Sequence, residues 1–198
     1  MIVWREFRGH DQPALMEAVE RLRVEVWTAQ GLALTGALRV DALDRAAHNI
    51  VACEGDLVVA SSQVSRHDVV DTMRDGAHYA PLLRPGYFPA AVLNRLVVRP
   101  SHRGRGLAAG MDARRLAVAQ AWGVRFVLTE VRGGRVRALQ DLGFETLGIS
   151  PDLRYPGEWQ IVAKLLGSKA SSMRRPAVPS REREGEEKRA RRLHSQSG

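Results

Sequence analysis

Residues Arg103-Gly104-Arg105-Gly106-Leu107-Ala108 place glycines and guanidiniums in one short segment, and the chemistry open to such a segment is anion binding. Glycine lets a ligand approach the main chain closely and adopts backbone conformations closed to other residues. The flanking sequence would aim the amides. Upstream, Ala91–Val98 is an apolar run ended by Pro100, which reads as a buried strand. Downstream, Leu107, Met111, Leu116, Val118 and Trp122 recur at roughly helical spacing until Gly123. A strand, a tight turn and a helix start leave the first N–H groups of the helix free to meet a phosphate, with the helix dipole in support. The competing reading is a tight turn whose arginines are merely solvated. The dinucleotide and P-loop patterns do not fit, because there is no Gly-x-Gly-x-x-Gly and no Gly-Lys-Ser/Thr.

The segment fits an Arg/Gln-x-x-Gly-x-Gly/Ala signature, and from about Ile2 to Leu166 the chain resembles the GNAT acyltransferase superfamily. The resemblance implies an acyl-CoA-dependent N-acyltransferase, with acetyl-CoA or another acyl-CoA as co-substrate and a primary amine as acceptor. It implies that the amides from Arg103 through Ala108 hold the pyrophosphate of coenzyme A. It also implies that the main chain of Leu96, Val97 and Val98 pairs with the acyl-pantetheine arm, in a gap between two splayed strands, Leu93–Val98 and Phe126–Val131. Members of the superfamily are frequently dimers, although nothing in this sequence isolates an interface.

Proton handling is where the chain departs from that pattern. Many members carry a Tyr four residues before a Gly-Phe pair and an Asn seven residues before the Tyr; here those positions hold Leu139 and Arg132. A tyrosine acid at that place is excluded, so the departing thiolate must be served otherwise. Glu130 is the carboxylate on the Phe126–Val131 strand and could act as a base through a water, unless it is an outward-facing solvated residue. His67 and Asp68 open a long connection and could approach an amine, whereas His102 reads as a surface histidine.

A second resemblance, to acyl-homoserine-lactone synthases and related acyltransferases, rests on Arg23, Trp27, Asp41-x-x-Asp44, His48 and Asn94-Arg95-Leu96. Val92, Asn94 and Gln63 stand where that pattern has Glu, Ser and Arg. Asp41 and Asp44 read equally as helix caps. Arg95 on a central strand needs a carboxylate if it is buried, and Asp41 or Asp44 could supply it; it joins Glu130 as a candidate for the reaction site. The alternative activities are transfer of a longer acyl chain, from coenzyme A or an acyl carrier protein, and a non-catalytic coenzyme A-binding module. An apolar groove from Tyr79 to Pro89 would favour the longer chain.

The elements expected to position these residues are a strand at Ile2–Arg8 and a helix at Pro13–Trp27 capped by Asp11. A loop with a short helix follows at Gly31–Asp44, then a hairpin of Asn49–Glu54 and Leu57–Ser65 turning at Gly55-Asp56. Next come a long connection, His67–Pro89, with a single helical turn, and the strand–turn–helix described above. The chain closes with a strand at Phe126–Val131, a helix at Gly134–Leu142, a strand beginning at Gly143-Phe144, and a last strand at Trp159–Leu166. The expected class is α/β (α+β), a GNAT-like mixed, mostly antiparallel sheet of six to seven strands with helices on both faces.

The chain has 198 residues, 44% of them hydrophobic, enough for a core in residues 1–166. Of the net charge of +8, residues 168–198 contribute nine Lys/Arg against four Glu. That segment, within 167–198, reads as a disordered mixed-charge tail. The remaining charge argues against nucleic acid as a partner. One cysteine, Cys53, reads as a small core residue and excludes an internal disulfide. The six histidines form no metal-ligand pair, so no metal is expected. No signal segment or membrane-length apolar run is present, and a cytoplasmic protein is expected.

Overall fold

The computed structural model describes residues 1–30, 39–151 and 157–167. The expected 167–198 tail lies, from residue 168 on, outside these, as does most of the loop expected at the start of Gly31–Asp44. The elements are β1 (Ile2–Arg8), α1 (Pro13–Thr28), α2 (Ala42–Ala46), β2 (His48–Glu54), β3 (Leu57–His67), α3 (Gly76–Tyr79), β4 (Ala90–Val98), α4 (Leu107–Ala121), β5 (Phe126–Arg132), α5 (Gly134–Gln140), β6 (Glu145–Ile149) and β7 (Trp159–Leu165). The seven strands form a single sheet in the order β1-β2-β3-β4-β5-β7-β6. Every neighbouring pair is antiparallel except β4 and β5.

Strand alternation sends successive side chains to opposite faces, and both faces are covered. On one, Val51, Cys53 and Val97 pack against Met16, Val19, Leu22 and Val26 of α1. On the other, Ile50, Ala52, Val59 and Ala60 meet Leu107 and Met111 of α4. Cys53 is thus the core residue its surroundings in sequence implied.

Several boundaries differ from the sequence reading. Asp11 does not cap α1: Gln12 occupies the cap position without a side-chain bond, and Pro13, pre-set for a first helical turn, starts the helix. Asp11 instead pairs with His10 at 3.1 Å. The strand expected at Gly143-Phe144 begins at Glu145, because Gly143 (φ 83°) ends the α5 region and the Phe144 N–H still donates to the Leu139 carbonyl. The long connection holds more than one turn, with 3-10 turns at Val70–Thr72 and Pro85–Tyr87 flanking α3.

Two features of β4 create the site. Ser61 pairs with Val97 and Gln63 with Asn94, so β4 carries an extra residue there. This bulge contains Arg95, whose φ of 58° is a left-handed conformation uncommon for a side-chain-bearing residue. Beside it, β4 pairs with β5 only through Ala90↔Phe126, Ala91↔Val127 and Val92↔Leu128. From Leu93 onward the strands part.

Candidate acyl-CoA site

Where the strands part, a cavity of about 450 Å³ opens, walled by Leu93–Val98 of β4 and Thr129–Arg132 of β5. The Thr129 hydroxyl donates to the Leu93 carbonyl at 2.6 Å, closing the fork where ladder bonds stop. Beyond it the β5-facing edge of β4 offers main-chain groups to a ligand, as an exposed strand edge does. Leu96, Val97 and Val98 lie on this edge. Their side chains are used elsewhere: Val97 is buried under α1, and Leu96 and Val98 pack on the α4 side.

The turn after β4 meets the same cavity through Arg103 and Ala108. Gly104 and Gly106 both have φ of 75°, and a Cβ added at either would meet nothing within 4 Å. The glycines are therefore required by conformation, and the space above them is open. Gly106 is the N-cap of α4, so no side chain satisfies the first-turn amides. Those amides and the dipole of a 15-residue helix are the groups an anion would meet there. Arg105 is exposed, and the Arg103 Nε donates to the Val98 carbonyl at 3.3 Å. His102 departs from expectation: it is 7% exposed, with Nε2 3.0 Å from a Glu54 carboxylate oxygen and Nδ1 2.9 Å from the Ser101 hydroxyl. The 3-10 turn Pro100–His102 folds the ring inward, which residue order alone does not reveal.

Glu130 lies on the cavity wall with 14% of its side chain exposed, which removes the reading of a solvated outward residue. Its Oε1 accepts from the Ser150 hydroxyl at 2.7 Å and lies 3.2 Å from His78 Nδ1. Sequence reasoning missed His78 and Ser150, since neither is near Glu130 along the chain. His67 and Asp68, expected to approach an amine, do not border the cavity. The His67 ring is buried between the Ser65 and Thr72 hydroxyls at 2.7 and 3.0 Å, and burial lowers its pKa. Asp68 pairs with Arg66 at 3.3 Å. No residue of Tyr79–Pro89, where a groove would have favoured a longer acyl chain, walls this cavity: Tyr79 is core, and Tyr87 stacks on Phe126 with centroids 4.4 Å apart. Arg74 and Asp75 are what the connection contributes to the wall.

Arg95 reaches the carboxylates anticipated for it. Its side chain is 7% exposed and sits 3.7 Å from Asp41 and 3.6 Å from Asp44, with Trp27 beneath its guanidinium at 5.6 Å. Asp41 and Asp44 also cap α2 reciprocally, so both readings of the pair hold at once. Arg74 adds a bidentate contact to Asp41 at 2.6 and 2.8 Å, and Arg23, fully buried, meets Asp44 at 3.1 Å. Burial pushes the Arg23 pKa down to about 10 despite Asp44. Leu139, in the position of the missing tyrosine, is fully buried core.

Among the described residues no group of three metal-ligating side chains comes together, and no helix is long and apolar enough to cross a membrane. No family model matches the sequence. No curated protein matches it either. Solved structures do match. FeeM, an N-acyl amino acid synthase from uncultured soil microbes, is 15% identical with a TM-score of 0.69 over 83% of this chain and 91% of its own. An acyl-CoA N-acyltransferase from Pseudomonas aeruginosa is 19% identical, with a TM-score of 0.61 over 83% and 99%. YncA of Salmonella typhimurium, solved with its cofactor acetyl-CoA, is 16% identical, with a TM-score of 0.52 over 87% and 98%. A sheet parted between β4 and β5, a glycine turn into α4 and these matches agree: the chain has the fold of the GNAT acyltransferase superfamily.

Proposed function

We propose that the protein is an acyl-CoA-dependent N-acyltransferase that moves an acetyl group from acetyl-CoA to a primary amine. The observation that carries this reading is the continuity of one cavity from the amides at the start of α4 to the open edge of β4 and on to Glu130. A phosphate anchor, a strand edge for an amide-bearing arm and a carboxylate are what an acyl-CoA and an amine require together. The pyrophosphate sits on the amides of Arg103–Ala108, with Arg103 and Arg105 adding charge. The pantetheine arm pairs with Leu96, Val97 and Val98. Glu130, oriented by Ser150 and His78, takes the proton of the attacking amine, and Arg95 on the bulge fixes the wall opposite. No covalent enzyme intermediate is needed. Residues 1–166 form the transferase domain of a cytoplasmic protein, with 167–198 a separate tail and a homodimer as the assembly.

A second reading, transfer of a longer acyl chain to an amino acid, is favoured by the likeness to FeeM and by the Asp41, Asp44 and Arg95 cluster. Release of free thiol from acetyl-CoA and octanoyl-CoA, measured with a panel of primary amines and amino acids, separates the two. Faster release from acetyl-CoA supports the first reading, and release confined to octanoyl-CoA with amino acids supports the second. In that assay Glu130→Gln should lower kcat by about 10²-fold while leaving the KM for the acyl-CoA nearly unchanged. An unchanged kcat across pH would remove Glu130 from proton transfer.

A further inference from the structure

We infer that Arg135, held on Asp112 beside the buried Arg115, is the cation that receives the coenzyme A thiolate as it leaves. The inference rests on the acyl-CoA reading above. Asp112 and Arg115 lie on the buried face of α4, among residues such as Met111 and Ala119, where apolar side chains would be ordinary. Arg115 donates to Asp112 Oδ1, and Arg135 of α5 donates to Asp112 Oδ2 at 2.6 Å. Two guanidiniums thus share one carboxylate, leaving one positive charge in excess at this point.

That excess faces the cavity. Arg115 and Arg135 both line it, and 29% of the Arg135 side chain remains exposed. A part-exposed cation at a cavity wall, with its one carboxylate shared with a second guanidinium, is open to a further negative group. The other charged groups on the wall are Arg74, Arg95, Arg103 and Arg132, opposed by Asp75 and Glu130. Arg132 is occupied against the Trp159 ring at 5.3 Å, and Arg74 and Arg95 are engaged with Asp41 and Asp44. Arg115 is seven residues beyond Ala108 on α4, so about 10 Å of helix separates the phosphate turn from this cluster. The site is therefore distinct from the pyrophosphate site and lies within the same cavity.

The chemistry needs such a group. The amine nitrogen attacks the thioester carbonyl carbon, its proton passes to Glu130, and the C–S bond breaks with its electron pair remaining on sulfur. Leu139 offers no proton at the position where a tyrosine would act. Electrostatic stabilisation of the thiolate by Arg135 lets it depart first and take a proton from water afterwards. Arg115 and Asp112 act as positioning residues, since they fix the guanidinium of Arg135.

The test measures the thiol pKa of bound coenzyme A in the full-length protein, from the ultraviolet difference spectrum against S-methyl-coenzyme A. Arg135→Gln leaves Asp112 paired with Arg115, so folding is preserved, and Arg135→Lys keeps the charge. In the unaltered protein the bound thiol should titrate below the thiol of coenzyme A free in solution; Arg135→Gln should raise it by about one unit. The kcat with acetyl-CoA should fall about tenfold in Arg135→Gln, with KM within about twofold and recovery in Arg135→Lys. The same thiol pKa in both proteins would overturn the inference. So would a loss of affinity confined to succinyl-CoA, which would assign the cation to a carboxylate on the acyl group. Calorimetry on the same samples reports coenzyme A binding separately: no binding by the unaltered protein overturns the acyl-CoA reading itself, whereas binding with an unmoved thiol pKa overturns only the role of Arg135.

Discussion

A carboxylate without solvent contact persists only where cations and hydrogen bonds replace water, and Asp44 is such a residue. Arg23 at 3.1 Å, Arg95 and Arg74 at 3.6 Å surround it, while its own carboxylate also caps the backbone of Asp41. Replacing it by Ala strands a fully buried Arg23 beside two further guanidiniums. Asp44→Ala should therefore cost about 3–5 kcal/mol of stability in denaturant unfolding. A loss under about 1 kcal/mol would show that water replaces the carboxylate. The need of Arg95 for a carboxylate was legible in the sequence, because a charge on an apolar strand demands a partner. The partners of Glu130 were not, since His78 and Ser150 reach it through the tertiary path of the chain. Asp112 and Arg115 were the missed signal that local reasoning could have found: two charges three residues apart on the apolar stripe of a helix.

At the scale of elements, α2 matters more than its five residues indicate. Its cap, Asp41, ties the connection after β3 to the bulge of β4 through Arg74 and Arg95. Burial alone would raise the Asp41 pKa, but the Arg74 hydrogen bonds, the Asp44 backbone N–H and the charges of Arg74 and Arg95 together outweigh it and hold the carboxyl well below the usual carboxylate range. A group lowered on folding stabilises the native state above its unfolded pKa, and that contribution is lost as pH falls toward the folded one. Asp41→Asn should therefore flatten the decline of stability below about pH 4. Equal slopes for the two proteins in acid denaturation would contradict the assigned pairing. Most strands and the glycine turn were legible because alternation, Pro100 and the glycines act locally. The bulge at Arg95 and the parting of β4 from β5 were not legible from periodicity, since each depends on register between strands; the splayed pair was anticipated only through the resemblance.

For the molecule as a whole, the seven-stranded sheet joins the glycine turn before α4 to a carboxylate on β5 through one cavity. The order of elements and the glycine signature carried that architecture in the sequence, even though structures sharing the fold are below 20% identical in the matches described. What the order of elements could not carry was the part of the cavity wall built from Arg74, Asp75 and Glu130 rather than from Tyr79–Pro89. The central claim, that this cavity holds an acyl-CoA with its pyrophosphate on the first turn of α4, is tested most directly by titration calorimetry with acetyl-CoA. The full-length protein is compared with Ala108→Trp, a change that fills the turn within a helix and so avoids the left-handed backbone of Gly104 and Gly106. The account predicts micromolar binding by the unaltered protein and a loss of at least about tenfold, about 1.4 kcal/mol, in a variant with unchanged circular dichroism. Equal affinity in the folded variant, or no binding by either protein, would contradict it.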